Sequence, residues 1–207
     1  MDLLVLVGCY LLGAIPFGVL VGKVARGIDI REFGSGNIGA SNVLRTLGVG
    51  PALLVFVLDT AKGTAAVVAC RALKMEPWIV VMGGVLSIVG HSFSVFLRFR
   101  GGKGVATSLG MIIGLNPMIA GIAFGLWLVI VGLTRIISVG SMLAAISVPA
   151  MMFAWEKHVE YQAIAVMAAT LILVKHRSNV KRLLAGTEPR IGQRVKVDQQ
   201  GDEQDGR

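Results

Sequence analysis

Charge is scarce in this chain: Asp, Glu, Lys and Arg make up only 15% of its 207 residues, against 55% apolar residues. That balance excludes a soluble domain of this size. Reactive side chains are equally few. Cys9 lies inside an apolar run and Cys70 is far from it in sequence, so the two read as buried or interfacial thiols rather than a disulfide or a nucleophile. His91, His158 and His176 show no ligand spacing with each other, with the cysteines or with a carboxylate cluster, so neither a metal nor another cofactor is expected. The GK[ST] of a Walker loop and the GxSxG of a serine nucleophile are both missing. No aspartate follows any histidine at the fifth position, where Phe96, Ala163 and Lys181 stand, which removes a His–Asp base of that spacing. No internal repeat or recognition domain remains to give the net charge of +8 a nucleic-acid reading.

What the chain does have is apolar runs of membrane-spanning length, which need roughly 20 residues to cross a core of about 30 Å. We read spans at Leu3–Val21, Pro51–Ala69, Trp78–Leu97, Pro117–Gly132, Ile137–Ala154 and Tyr161–Val174. A shorter apolar segment follows Gly104 and ends at Gly114. Asp2 occupies the place of a basic leader region and no small-x-small cleavage site follows, so the first span is retained. If the short segment crosses, there are seven helices, and one face collects every Lys and Arg except Lys62, Arg71, Lys74 and Lys157. The excess of Lys and Arg on cytoplasmic segments makes that face the inner one. The fold class expected is therefore an all-α polytopic membrane protein of seven transmembrane helices, N-terminus outside and C-terminus cytoplasmic. Residues 1–190 form one transmembrane domain, and 191–207 a polar tail expected to be disordered. Trp78, Trp155 and Tyr161 fall at outer span ends, as interfacial aromatics do.

Polar residues gather on the inner face. In GSGNIGASNVLR, Gly34, Gly36 and Gly39 permit close backbone approach and positive φ, and Ser35, Asn37, Ser41 and Asn42 add hydrogen-bonding groups. Arg45 offers a bidentate clamp. The segment reads either as an anion nest or as a flexible turn. In GGKG, Lys103 sits at the start of the short helix, where its ammonium and the helix-end amides can act on one oxyanion, or it is a plain positive-inside lysine. Ser141 either meets a phosphate oxygen or bonds back to its own helix. After the last span come His176, Arg177, Asn179, Lys181, Arg182 and Glu188; on a continuing helix His176 and Asn179 share a face. Asp59 and Lys62, three residues apart within the second span, read as a neutralising structural pair or as functional intramembrane charges, and His91 as a helix-packing histidine or a ligand contact.

As a set, GSGNIGASNVLR, the segment GHSFSVFLRFRGGKGVAT at 90–107, and HRSNVKRLLAGTE closely resemble the bacterial acyl-phosphate-dependent glycerol-3-phosphate acyltransferases, the PlsY family. The likeness runs over the whole chain; Ser41 replaces the usual threonine and Ser92 a common asparagine. It implies transfer of an acyl group from acyl phosphate to the 1-hydroxyl of sn-glycerol 3-phosphate, giving lysophosphatidic acid and phosphate, in the bacterial inner membrane with the site facing the cytoplasm. It assigns catalytic roles to His176, Asn179 and Lys103. Substrate or phosphate contacts fall to Ser35, Asn37, Ser41, Asn42, Arg45, Gly101, Gly102, Lys103, Ser141, His176, Asn179 and Glu188, with Gly101 and Gly102 offering backbone amides. The partners are glycerol 3-phosphate, acyl phosphate, membrane lipid and an acyl-phosphate synthase docking on the basic face. Two other classes fit the same cations: an organic-phosphate transporter, disfavoured by the lack of an inverted repeat, and a scaffold binding anionic lipid.

Overall fold

The computed structural model describes residues 1–193, so most of the polar tail lies outside the described residues. The described chain holds helices and turns and no strand. Its helices are α1 (Asp2–Ala14), α2 (Phe17–Arg26), α3 (Ala40–Thr46), α4 (Val49–Ala72), α5 (Pro77–Ser92), α6 (Val105–Leu115), α7 (Pro117–Thr134), α8 (Ile137–Trp155), α9 (Val159–Lys175) and α10 (Arg177–Leu184). Five stretches are long and apolar enough to cross a membrane: Asp2–Arg26, Val49–Ala72, Pro77–Leu97, Pro117–Thr134 and Ile137–Trp155. The bent pair α9–α10 gives a sixth, and α6 is the short apolar helix.

Two expected continuities are broken. The first span divides at Pro16, which has no N–H to give the helix. At that break the carbonyl of Ile15 accepts from Phe17 N at 3.2 Å and from Lys62 Nζ at 2.9 Å, and the same ammonium lies 2.8 Å from Asp59 Oδ1. The buried Asp59–Lys62 pair thus ties α4 to the break in the first span. At the other end of the chain, helix does not continue through residue 176: α10 turns away from α9 by 53°.

Close helix packing is built on glycine. On α4, a side chain at Gly63 would strike the Thr107 carbonyl, and on α6 one at Gly110 would strike that of Thr60; small residues let membrane helices approach this closely. Thr64 Oγ1 donates to the Gly110 carbonyl at 2.9 Å, and Arg71 Nη2 to that of Leu115 at 3.1 Å, capping the end of α6. These contacts advance together along both helices, so α6 runs parallel to α4. Gly13 and Gly90 similarly bring α1 and α5 together, and the free thiols of Cys9 and Cys70 meet in the core between α1 and α4, with sulfurs 3.9 Å apart. Trp78 and Trp155 are exposed at helix ends, whereas Tyr161 is buried and accepts from Arg71 at 3.3 Å. Its ring belongs to the packing around the α6 terminus, not to an interfacial belt.

The Gly63–Thr107 register sets the start of α6 near the level of Asp59. The first turns of α4, Val49 to Phe56, therefore lack α6 beside them and look across toward α7. There Phe56 stacks on Phe124, centroids 6.0 Å apart, and Phe124 on Trp127 at 5.7 Å.

Candidate active site

A cavity of about 460 Å³ opens at one end of the bundle. Its mouth is polar, carrying Ser35, Asn37, Ser41, Arg45, Lys103, His176, Asn179 and Arg182, and its depth is apolar, between α6, α7, α8 and α9. A second, polar hollow of about 430 Å³ shares Ser35, Asn37, Lys103 and Arg182 with it and adds Gly101, Gly102, Lys175 and Arg177. The two form a cationic vestibule above an apolar chamber.

The centre of the vestibule is a chain of hydrogen bonds. Lys103 Nζ donates to Asn179 Oδ1, whose Nδ2 donates to Glu188 Oε1 at 2.6 Å. The same Glu188 oxygen accepts from Ser138 Oγ at 2.6 Å, and Oε2 accepts from Arg182 Nε at 2.7 Å. Burial alone would raise the Glu188 pKa, but its hydrogen bonds from Ser138, Asn179 and Arg182 hold it below the ordinary carboxylate range. The carboxylate fixes the Asn179 amide with its oxygen toward Lys103. Burial lowers Lys103 to about 8, partly offset by Glu188, with Arg182 and Arg45 pushing the same way as burial. Arg45 is likewise lowered by burial. These cations are held partly out of water without a full set of counter-charges, an arrangement that favours an incoming phosphate.

His176 follows the last turn of α9. Its Nδ1 lies 2.8 Å from the Ile172 carbonyl, which can only accept, so Nδ1 carries the hydrogen and Nε2 keeps a lone pair. Burial first, and then the Lys103 charge, push its pKa down to about 4. The ring is neutral at physiological pH.

The loop before α4 is a short turn at Ile30–Glu32 followed by α3, so Ser41, Asn42 and Arg45 stand on a helix. Gly34 and Gly36 have the positive φ expected; Gly39 does not, serving instead as the extended residue before α3. Asn42 is buried and spends its amide on the loop: Oδ1 accepts from Ser35 N and Oγ, and Nδ2 donates to the Ile30 and Phe33 carbonyls. No donor is left on it for a ligand. Asn37 Oδ1 accepts from Gly39 N at 2.9 Å, and Arg45 Nη2 donates to Ser41 Oγ at 3.0 Å, aligning the guanidinium along α3. Ser141 donates back to Ile137 O and accepts from Trp127 Nε1, the helix-bonded reading of that serine.

The GGKG loop departs from expectation in its amides. Gly101 N donates to the Ser92 carbonyl and Gly102 N to that of His91, at 3.3 and 2.9 Å, so neither is free for phosphate in this state. Both glycines are required by contact: a side chain at Gly101 would strike the His91 carbonyl, and one at Gly102 the His91 Nε2. The free donors lie further on, in the first turn of α6.

One participant escaped the sequence reading. Ser138, one helical turn before Ser141, holds Glu188; its position in the first turn of a span on the basic face was the available signal. His91 lines the cavity with Asp59, its Nδ1 3.5 Å from Asp59 Oδ1 and its ring against Gly102. It packs between helices, as expected of it, yet its surface is also the seat of the GGKG loop. Among the described residues no group of histidine, cysteine and carboxylate side chains could hold a metal ion.

A membrane-embedded apolar chamber under a vestibule built for phosphate defines a class: an integral membrane enzyme or carrier that handles a phosphorylated lipid or lipid precursor. Comparison with known proteins narrows it. The chain belongs to the glycerol-3-phosphate acyltransferase family, whose profile matches residues 3–186. It is 50% identical over 192 residues to the glycerol-3-phosphate acyltransferase of Synechococcus sp. strain JA-2-3B'a(2-13), covering 93% of this chain and 96% of that one. It is 41% identical over 208 residues to that of Trichormus variabilis, covering 92% of each. Two crystal structures of PlsY, an integral membrane glycerol 3-phosphate acyltransferase, share the fold. The glycerol 3-phosphate form matches with TM-score 0.87 and 40% identity, over 92% of this chain and 96% of that one. The lysophosphatidic acid form gives 0.85 and 39%, over 93% and 96%. The activity class is acyl transfer to glycerol 3-phosphate, and the transporter and scaffold alternatives are set aside.

Proposed function

We propose that this protein moves a fatty acyl group from acyl phosphate to the 1-hydroxyl of glycerol 3-phosphate at the vestibule, with the acyl tail in the apolar chamber. One observation carries the reading: the Lys103–Asn179–Glu188 chain stands at the junction of a cationic polar hollow and a deep apolar cavity. The polar side suits two phosphates and the apolar side one tail. Lysophosphatidic acid, bound in a relative at 39% identity, combines those features in one molecule.

The hydroxyl oxygen of glycerol 3-phosphate attacks the acyl carbonyl carbon; the new ester C–O bond forms as the C–O bond to phosphate breaks and inorganic phosphate leaves. An acyl phosphate is a mixed anhydride with a good leaving group, so orientation and charge stabilisation suffice without a covalent acyl-enzyme. Lys103 and Arg45 hold the reacting phosphate, and the α6 N-terminus adds its free amides. Ser35, Asn37 and Ser41 bound the glycerol 3-phosphate side. His176 Nε2 accepts a hydrogen bond from the attacking hydroxyl and orients it. A ring whose pKa is about 4 is a weak base at neutral pH, so the hydroxyl proton passes to a phosphate oxygen of the substrate. Glu188 and Ser138 act through Asn179.

Seven crossings support a cytoplasmic vestibule. With α6 parallel to α4 and counted as a crossing, the N-terminus is outside and the end of α10 inside, and among the described residues every Lys and Arg except Lys62, Arg71, Lys74 and Lys157 falls on the vestibule side, in keeping with the positive-inside rule for a bacterial inner-membrane protein. The same basic rim suits a soluble acyl-phosphate synthase. Purified protein in detergent, given palmitoyl phosphate and labelled glycerol 3-phosphate, yields labelled lysolipid and phosphate if the reading holds; acylation only from another donor refutes it. Reporter tags at residues 40 and 185 are expected in the same compartment, and opposite compartments refute the topology.

A further inference from the structure

The apolar chamber has a measurable depth and a closed end. Its polar limit is set by Lys103, Ser138 and His176, and its outermost lining residues are Ile112 on α6, Ala120 on α7, Val148 on α8 and Ala165 on α9. From Ser138 to Val148 along α8, and from His176 back to Ala165 along α9, the rise of about 1.5 Å per residue gives a chamber roughly 15 Å deep. Beyond that level the bundle is filled by Leu115, Ile119, Met152 and Ile164, all buried in one core cluster. A bilayer core of about 30 Å divides into two leaflets of about 15 Å, so the chamber reaches about as deep as one leaflet.

What keeps the chamber open is the smallness of its walls. Alanine lines it on α7, α8 and α9, at Ala120, Ala123, Ala144, Ala145, Ala165 and Ala168. Ala120, Ala165 and Ala168 also pack in the core cluster, so a larger side chain at these positions has only the cavity to grow into. Resting on the acyl-transfer reading above, we propose that Ala120, Val148 and Ala165 form the stop that sets the longest acyl chain this enzyme accepts. A shorter chain leaves the end of the chamber unfilled and loses apolar contact. A longer one must bend back toward the side of the cavity lined by Phe56, Phe124 and Trp127. Each methylene displaced from an apolar pocket costs about tenfold or more in kcat/KM.

The test is competition among decanoyl, lauroyl, palmitoyl, stearoyl and arachidoyl phosphates supplied together to the purified protein, with product lysolipids resolved by mass spectrometry. The unmodified protein is expected to show a sharp fall in product share at one chain length within this series. Ala165→Leu and Ala120→Leu should lower the palmitoyl-to-decanoyl product ratio by about tenfold or more while sparing decanoyl turnover. Val148→Ala should raise the arachidoyl share. Should the leucine variants fail to fold, Ala165→Val and Val148→Ala decide by the same ratios. Unchanged ratios in variants that retain decanoyl turnover overturn the stop. No lysolipid from any donor with the unmodified protein instead overturns the acyl-phosphate reading beneath it.

Discussion

Lys103 offers the sharpest test of the vestibule, because the proposed phosphate site calls for its charge and that charge is weakly held. Its ammonium donates to Asn179 Oδ1, and burial brings its pKa to about 8. Only the protonated amine can donate to that oxygen and neutralise a phosphate together. At pH 7 about nine-tenths of a group with that pKa is charged, and at pH 9 about one-tenth. The free-enzyme parameter kcat/KM should therefore fall about tenfold per unit above pH 8, while kcat falls at higher pH, because bound phosphate stabilises the ammonium. Phosphate monoesters complete their second ionisation near pH 6, so the alkaline limb does not belong to the acceptor. Lys103→Arg keeps a positive charge throughout, and its profile should stay flat to pH 9.5 at a reduced rate, since a guanidinium fork does not reproduce the ammonium's contacts. Lys103→Ala should lose about 10²–10³ in kcat, the usual cost of one oxyanion donor. The assay is phosphate release with palmitoyl phosphate over the pH series. An alkaline limb near 8 that persists in Lys103→Arg would refute the assignment.

Glu188→Gln puts an amide N–H where Arg182 or Asn179 needs an acceptor, costing about 1.5–3 kcal/mol for the charge-assisted bond lost; kcat should drop while the protein still inserts, and unchanged kcat would detach Glu188 from Asn179. His176→Gln retains an acceptor near the reacting hydroxyl, so turnover within about tenfold of normal is expected, whereas a total loss with intact substrate binding would make the imidazole the obligatory base. Gly102→Ala drives a methyl into the His91 ring and should abolish most activity, with partial recovery in the double variant Gly102→Ala, His91→Ala; no recovery would mean the contact is not what the glycine serves. Lys62→Met leaves Asp59 without its ammonium in the membrane and should cost about 3–5 kcal/mol in detergent unfolding, with Asp59→Asn, Lys62→Met milder than Lys62→Met alone.

The spans were legible because a bilayer imposes length and composition, and their ends moved by only a few residues: Pro51–Ala69 became Val49–Ala72 and Tyr161–Val174 became Val159–Lys175. Local chemistry accounts for the break at Pro16, but hydropathy averages over it. The site residues were legible as chemical types, since serines, asparagines, cations and glycines beside a membrane have few roles there. Their division of labour was hidden. Whether Asn42 meets a ligand or the Ile30 and Phe33 carbonyls depends on how a loop folds back ten residues, and whether Gly101 exposes its amide depends on where α5 ends. Spacing along the chain carries neither.

The same limit explains the most consequential omission. Asp59 and Lys62 were read apart from His91, each set with a structural and a functional alternative, and the structure puts all three in contact while Asp59 and His91 also line the cavity. Their joint effect lies in where those contacts lead. Lys62 anchors the broken first span, Asp59 faces His91 Nδ1, and His91 supports both the amide and the Cα of Gly102. A rigid GGKG loop is what lets Lys103 reach Asn179 with its ammonium partly desolvated. The buried charges of the second span are therefore expected to bear on catalysis through the position of Lys103, although Asp59 and His91 also line the cavity.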